Sequence, residues 1–114
     1  MSDCIFCKII KGDIPSTNVF RDEQVTAFRD INPAAPTHIL VVPNKHIDGV
    51  DTLASEDEAL VGHLVHVAGQ LAAREGIAEG GYRLIINTGA NAGQTIPHIH
   101  VHLLGGAPLK YPMG

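Results

Sequence analysis

The stretch that decides the fold is QTIPHIHVHLL, residues 94–104, in which three histidines alternate with apolar residues. Alternation is the period of a β-strand, so the imidazoles of His98, His100 and His102 should project from one face. Side chains two residues apart on a strand are about 6.6 Å apart, so three rings can line one small site. The pattern predicts a strand over residues 99–104 with a histidine-lined face.

A solvated strand face, or packed histidines with satisfied nitrogens, would show the same pattern. The preceding segment favours a functional site, because NTGANAGQT, residues 87–95, is rich in Gly, Asn and Thr. Such a backbone can approach a ligand closely, and its amides and hydroxyl could hold an anion against the imidazoles. Histidines beside a phosphate cradle indicate chemistry on phosphorus, with a histidine as nucleophile or as acid–base.

The rest of the chain predicts two helices and four further strands. The long helix is expected to start in a capping box at Ser55 and Glu58 and to end at Glu75, with Gly76 as left-handed terminator. A short helix is expected at 4–11, and strands are expected at 19–21, 25–28, 38–42 and 82–86. Five strands, short connections and one long helix predict an α+β fold with an antiparallel sheet, in a single domain spanning residues 1–114.

The long helix carries two stripes at helical spacing. The larger side chains suit packing on the protein's own sheet and are Leu60, Leu64, Val67 and Leu71. The smaller ones suit either that sheet or a two-fold helix–helix contact, which we favour, and are Gly62, Val65, Gly69 and Ala72. A surface or interface position is expected for His63 and His66.

Composition restricts the class of protein. Hydrophobic residues make up 45% of 114 residues, enough for a core, and the net charge of −4 argues against a general nucleic-acid binder. The N-terminus lacks a signal-peptide pattern and no apolar run is long enough to span a membrane, so no membrane association and a cytoplasmic location are expected. In that compartment Cys4 and Cys7 indicate a metal or redox pair rather than a structural disulfide.

Several motifs together resemble the histidine-triad (HIT) family, in its Hint branch of histidine triad nucleotide-binding proteins. The triad segment HIHVHLL at 98–104 is joined, in the family's order, by four others: CIFCKII at 4–10, FRDINP at 28–33, APTHILVVPNKH at 35–46 and GYRLIIN at 81–87. They cover nearly the whole chain. The resemblance implies a HIT-like fold that forms homodimers through the long helix and the strand after it.

The resemblance implies that His100 attacks the α-phosphate of a nucleotide, giving a covalent nucleotidyl-histidine that water then hydrolyses. His98 and His102, on either side of His100, would contact phosphate oxygens, with His102 holding a phosphoryl oxygen. Thr95 could assist the leaving group, and the amides near Gly93, Gln94 and Thr95 would stabilise negative charge. His38 has a supporting role near the nucleophile, and Asn87 maps to the phosphate side. Asp30 would accept from ribose hydroxyls and Ile31 would flank the base, although Asp30 also fits a simple turn.

The resemblance also implies a metal site. Many family members complete a set with two cysteines, the histidine of the Pro-x-Lys-His segment and the first triad histidine, here Cys4, Cys7, His46 and His98. Two thiolates and two imidazoles suit tetrahedral structural zinc, whereas free thiols on a short helix are the alternative.

The function that these residues imply is hydrolysis of purine nucleoside phosphoramidates. Three alternatives stay open: a dinucleoside polyphosphate hydrolase, a nucleotide-sensing or partner-binding module, and a zinc enzyme with the triad as ligands. One departure concerns the C-terminus, where close relatives often carry a tryptophan and this chain has Tyr111-Pro112-Met113-Gly114. Substrate preference inferred through that tail is therefore not transferable.

Overall fold

The backbone is one antiparallel sheet with a helix on each face, described over residues 3–110 in a computed structural model. The long α2 is Glu58–Arg74 and the short α1 is Ile5–Lys11. The sheet has the order β1-β2-β3-β5-β4, and its strands are β1 (Asn18–Arg21), β2 (Val25–Arg29), β3 (Thr37–Pro43), β4 (Tyr82–Ile85) and β5 (Val101–Gly105). The predicted α+β class and five-stranded antiparallel sheet are confirmed. The segment Tyr111–Gly114 lies outside the described residues.

The central strand β3 is buried along its whole length, because both of its faces are covered. Ile39 and Val41 face α2, whereas Leu40 and Val42 face α1. The α2 side chains in the first core are those of the predicted large stripe, Leu60, Leu64, Val67 and Leu71. Burying each such side chain contributes roughly 1.5–3 kcal/mol. The α2 face holds the larger of the two core clusters.

The small stripe of α2 divides between core and surface. Gly62 is exposed and Val65 keeps 45% of its surface, but Ala72 is fully buried and belongs to the core. Ala72 was therefore wrongly assigned to the outer stripe. At about 100° per residue, Ala72 lies ten positions after Gly62 and about 80° around the helix axis from it, on the flank nearer the core.

The start of α2 differs from the predicted capping box. Residues Ser55–Asp57 form a separate turn of 3₁₀ helix, and α2 begins at Glu58. The Asp57 carboxylate accepts the Ala54 N–H at 2.9 Å and pairs with Lys45 Nζ at 2.7 Å. The local contact with Ala54 and the long-range contact with Lys45 hold Asp57 in the 3₁₀ turn that precedes the helix. At the other end α2 stops one residue early, and Gly76 has the predicted left-handed conformation with φ of 76°.

Two side-chain contacts tie α2 to the β1–β2 hairpin. Arg29 makes two hydrogen bonds of 2.9 Å to the carboxylate of Glu75, at the C-terminal end of the helix. His63 Nε2 lies 2.7 Å from Asp22 Oδ2 in the hairpin turn. His66 is exposed and its ring stacks on His63. Neither histidine belongs to a candidate metal cluster among residues 3–110.

No helix among the described residues has the length and apolar character needed to cross a bilayer.

Candidate active site and metal centre

The histidine segment enters the sheet later than predicted. Only His102 lies within β5, which begins at Val101, while His98 and His100 precede it. Alternation nevertheless persists through the segment. Ile99 and Val101 are buried in the α2 core, and the Phe6 ring of α1 contacts both preceding histidines on the opposite face, with centroids 5.9 Å and 5.0 Å away.

His100 is held in one orientation by its own chain. Its ring is buried, and its Nδ1 lies 2.7 Å from the carbonyl oxygen of His98. Nδ1 must carry a proton to donate to this carbonyl, so the neutral ring has its lone pair on Nε2. Burial lowers the pKa of His100, which favours the neutral form. The ring therefore offers an unprotonated Nε2 to an electrophile.

Two further histidines extend this site across the sheet. The ring centroids of His100 and His102 are 4.9 Å apart, and His38 Nε2 on β3 lies 3.0 Å from His102 Nδ1. The other nitrogen of His38, Nδ1, accepts the Ala34 N–H at 3.0 Å. Burial lowers the pKa of His38, and burial together with the neighbouring histidines lowers the pKa of His102 to about 4. Both rings are therefore neutral near pH 7.

Asp30 and Ile31 lie at the end of β2, beside His38. Asp30 Oδ1 accepts the Asn32 N–H at 2.8 Å, which is the turn contact, while Oδ2 lies 3.5 Å from His38 Nε2. The two interpretations of Asp30 are thus compatible, because the two oxygens face different partners. Ile31 exposes 89% of its surface, and this apolar side chain is available to a planar ligand.

The loop over residues 87–95 differs from the predicted anion cradle. The Gly93 N–H donates to Ala90 O at 3.0 Å and the Gln94 N–H to Gly89 O at 3.1 Å, closing a turn of 3₁₀ helix. The Gln94 side chain holds the loop by bonding Gly89 N, Asp48 O and Ile96 O. In this conformation both amides already have acceptors, and the expectation that they stabilise an anion stays a prediction. Local turn formation satisfied them first.

Thr95 is exposed and lies on the side of the site nearest the cysteines, lining a surface cleft with Cys4 and His46. Asn87 lies on the opposite side, where it lines a cleft of about 630 Å³. That cleft begins at His38 and His102, has Ile85 and Leu104 among its lining residues, and is bordered by the C-terminal segment 107–110. Its volume is enough for a small organic group next to His102.

The second cluster brings four sulfur and nitrogen ligands together. The ligand atoms of Cys4, Cys7, His46 and His98 all lie within 4.8 Å of one another. His98 Nδ1 is 3.3 Å from Cys4 Sγ and 3.6 Å from Cys7 Sγ, and His46 Nδ1 is 3.3 Å from Cys7 Sγ. Ligands at about 2.0–2.3 Å from a tetrahedral ion are roughly 3.3–3.8 Å apart, so these separations fit such an ion.

The remote nitrogens of both histidines in this cluster have acceptors. His98 Nε2 lies 2.9 Å from Pro43 O, and His46 Nε2 lies 2.8 Å from Asp48 Oδ1. A proton on each Nε2 leaves the lone pair of each Nδ1 directed at the sulfurs, as metal coordination requires. Burial lowers the pKa of His98, whereas for His46 hydrogen bonds with Cys7 and Asp48 outweigh burial and raise its pKa. Both ring nitrogens of His98 thus face away from the nucleophile, and its link to His100 runs through its backbone carbonyl.

A third group, Asp30, His38 and His102, has its ligand atoms equally close together. Coordination through His38 Nε2 would require the proton to move to Nδ1. That nitrogen already accepts the Ala34 N–H, and two N–H groups cannot point at each other. The geometry therefore disfavours a metal at the triad and favours the cysteine-containing cluster.

Several groups in the site were not found from the sequence. Phe6 packs against two histidines, the Ala34 amide and the Pro43 carbonyl each bind an imidazole nitrogen, and Asp48 orients His46. Phe6 lies between Cys4 and Cys7 in the sequence, so its position next to the predicted metal ligands could have indicated that it packs at the site. The backbone groups leave no signature in side-chain identity.

Comparisons with known proteins agree with this architecture. The family model described as HIT domain matches residues 11–109. The chain is 54% identical to purine nucleoside phosphoramidase of Escherichia coli (strain K12) over 107 residues, covering 94% of this chain and 90% of that one. It is 53% identical to the 14 kDa zinc-binding protein of Zea mays over 116 residues, covering 99% and 89%. The crystal structure of a HIT family hydrolase from Legionella pneumophila Philadelphia 1 superimposes with a TM-score of 0.95 at 46% identity, covering 98% and 100%.

The fold and the site define an α+β protein with a histidine-based active centre next to a cluster able to hold a metal ion. The chain belongs to the HIT domain family.

Proposed function

We propose that this protein hydrolyses the P–N bond of purine nucleoside phosphoramidates. The observation that carries the proposal is the orientation of His100, whose Nδ1–H donates to His98 O at 2.7 Å and leaves Nε2 unprotonated. A neutral, fixed imidazole is the form that attacks phosphorus. The 54% identity to the Escherichia coli phosphoramidase supports the choice of substrate.

In the proposed reaction, His100 Nε2 forms a bond to the α-phosphorus as the P–N bond breaks, and the amine takes up a proton from solvent as it leaves. Water then attacks the same phosphorus, loses a proton to solvent and releases the nucleoside monophosphate, which restores neutral His100 and balances the proton taken up by the amine. Two smaller barriers replace one large one. Asp30 would accept from the ribose hydroxyls, Ile31 would flank the purine, and Asn87 would lie on the phosphate side, in the cleft next to His102.

The test compares adenosine 5′-phosphoramidate with a diadenosine polyphosphate. We expect the first to be the better substrate, and His100→Ala to lower its kcat/KM by about 10³-fold or more. His66→Ala, an exposed histidine of α2, is the matched control and should retain full activity. Quenched single turnovers should show one added nucleoside monophosphate on His100 by mass spectrometry. Preference for the polyphosphate would support the other hydrolase, and binding without turnover would support a sensing module.

We propose zinc as the ion of the cluster formed by Cys4, Cys7, His46 and His98, in a structural role. Two sulfurs and two Nδ1 atoms leave no open coordination position, so the ion would join the N-terminal turn to the segment that carries the nucleophile. The zinc-binding relative from Zea mays supports the identity of the metal.

Metal analysis tests this proposal. We expect about one zinc per chain as purified, loss of that zinc in Cys4→Ser, and retention in His100→Ala, which keeps all four ligands. Removal of the metal with a chelator should lower Tm by at least about 5 °C, because the binding energy contributes to folding. Equal zinc content in the wild type and Cys4→Ser would refute the site.

We further propose that the protein is a cytoplasmic homodimer. The supporting features are an outer face of α2 with Gly62 and Val65, and the edge strand β4, which follows α2 in the chain and where Tyr82 keeps 39% of its surface. Partly exposed apolar side chains next to an unpaired strand edge are typical of a two-fold interface. Cell fractionation would test the location.

A further inference from the structure

We propose that the backbone N–H of Ala34, acting through His38, sets the tautomer of His102, so that His102 presents an N–H from Nε2 to the substrate's phosphoryl group. The proposal concerns the proposed phosphoramidase site and depends on that function only for the identity of the substrate. His38 is thus a positioning residue, because it acts through His102.

The first step in the argument is the proton position on His38. The Ala34 N–H donates to His38 Nδ1 at 3.0 Å. An imidazole nitrogen that accepts a hydrogen bond carries no proton, so Nδ1 is bare and the single proton of the neutral ring is on Nε2. The same contact excludes an imidazolium at His38, since a protonated Nδ1 would face the Ala34 N–H.

The second step follows the proton to the next ring. His38 Nε2 lies 3.0 Å from His102 Nδ1, and the carboxylate of Asp30 lies 3.5 Å from the same Nε2. A carboxylate oxygen can only accept, as expected for a neighbour of a nitrogen that carries a proton. His102 Nδ1 must then be the acceptor in this pair, and a neutral His102 has its proton on Nε2.

The third step compares His102 with its neighbour. In His100 the proton is on Nδ1 and the lone pair on Nε2, because Nδ1 donates to the His98 carbonyl. In His102 the assignment is reversed. The two adjacent rings, with centroids 4.9 Å apart, therefore offer different groups from the same ring position: one a lone pair for phosphorus, the other a donor for a phosphoryl oxygen or the leaving nitrogen.

The origin of this difference is the segment between β2 and β3. Ala34 lies only four residues before His38, and the segment folds back so that its amide faces the ring. Residue 34 contributes a main-chain group alone, so its side-chain identity has no role. The loop thereby controls a group on β5 that is 68 residues away in the sequence.

The variants that test the inference alter one hydrogen bond at a time. Ala34→Pro removes the N–H that donates to His38. Ala35→Pro introduces a proline one position later and keeps that N–H, so it is the matched control. His38→Gln keeps an acceptor oxygen and a donor nitrogen at a similar spacing, whereas His38→Leu keeps neither. Ala34 is exposed and Ala35 is half-buried in a loop outside the core, so the proline variants still test the inference if His38→Leu fails to fold.

The primary measurement is the ¹⁵N–¹H correlation spectrum of the histidine rings without substrate, which reports the protonated nitrogen of each ring. In the wild type and Ala35→Pro we expect protons on Nε2 of His38 and His102 and on Nδ1 of His100. In Ala34→Pro, the rings of His38 and His102 should become mixtures of tautomers. A wild-type proton on Nδ1 of either His38 or His102 would overturn the proposal.

Kinetics provide the second measurement. His38→Leu and Ala34→Pro should lower kcat for the phosphoramidate by about 10–100-fold with KM changed less than about twofold, since the donor is misplaced rather than the binding surface. His38→Gln should recover most of that loss. Equal kcat in all variants would overturn the proposal. If the wild type shows the expected tautomers but does not turn over the phosphoramidate, the proposed function is refuted and the tautomer inference stands, because the spectrum is recorded without substrate.

Discussion

At the scale of single residues, the site shows how one side-chain type performs different tasks. The rings of His38, His98, His100 and His102 differ in what their second nitrogen contacts: an amide, a proline carbonyl, a neighbouring carbonyl and another imidazole, respectively. Each contact fixes which nitrogen carries the proton, and thus whether the ring binds metal, attacks or donates. The role of each histidine therefore follows from its hydrogen bonds and not from its presence in the triad alone.

The low pKa of His102 leads to a prediction about stability and pH. Burial and its histidine neighbours lower the pKa of this ring to about 4, whereas a histidine in an unfolded chain titrates near 6.5. Between about pH 4 and 6.5 the unfolded state binds more protons, so the free energy of unfolding should fall as the pH is lowered through this window. Above it, this ring contributes no pH dependence. Because the ring is only partly buried, the contribution should stay below the roughly 3 kcal/mol to which the full shift corresponds.

Urea unfolding between pH 7.5 and 4.5 measures this effect. The slope should be smaller in His102→Gln than in the wild type, and not zero, because burial lowers the pKa of His38 and His100 in the same direction. His66→Gln replaces an exposed histidine and should keep the wild-type slope. Identical slopes in all three proteins would contradict the assignment of a buried neutral ring at position 102.

At the scale of elements, the register between β5 and its neighbours places the site. Leu40 pairs with His102, and His38 pairs with Leu104, so the rings of His38 and His102 lie diagonally on one face. Ile85 of β4 lies on the other side of His102 and lines the adjacent cleft. A shift of one residue would turn the histidine face into the α2 core.

Gly105, the last residue of β5, is required by this packing. A Cβ there would lie 3.3 Å from Ile77 Cβ, 3.2 Å from Tyr82 Cβ and 2.7 Å from Ile77 Cδ1. We expect Gly105→Ala to lower the free energy of unfolding by about 1–3 kcal/mol, since the strand and the segment after α2 must move apart. Denaturant unfolding measures the change. Gly80→Ala, where nothing lies within 4 Å, should stay within about 0.5 kcal/mol of the wild type; a similar loss in both variants would contradict the steric explanation.

At the scale of the whole molecule, the sheet separates stability from chemistry. The α2 face carries the larger core, and the α1 face carries the histidines and the cysteine cluster. His38 and His102 therefore lie on strands whose positions are determined by packing on the opposite side, and His100 lies directly before the second of these strands.

The proposed dimer gives a prediction at this scale. Val65 is 45% exposed on the outer face of α2, and burying a carboxylate there would be costly, so Val65→Glu should convert the dimer into a monomer. Sedimentation velocity over a range of concentrations measures the change. Gln70→Glu adds the same charge on the opposite flank of the exposed helix surface and should leave the dimer intact. A monomeric wild type, or a dimeric Val65→Glu, would contradict the proposed interface.

The sequence by itself determined the elements and the faces of this protein. Alternation over residues 98–104, the large stripe of α2 and the terminator at Gly76 depend on neighbours within a few positions, and local sterics and burial dictate them. The start of α2 was misassigned because Asp57 is drawn to Lys45, a contact that no local pattern encodes.

Only the tertiary structure decided what each histidine does. The Gly93 and Gln94 amides are used by their own turn, and the protons of His38, His98 and His100 are directed by backbone groups of Ala34, Pro43 and His98. Every residue type except proline offers the same N–H and C=O groups, so residue identity carries no record of them. Their positions arise when the sheet assembles and brings distant strands within hydrogen-bonding distance.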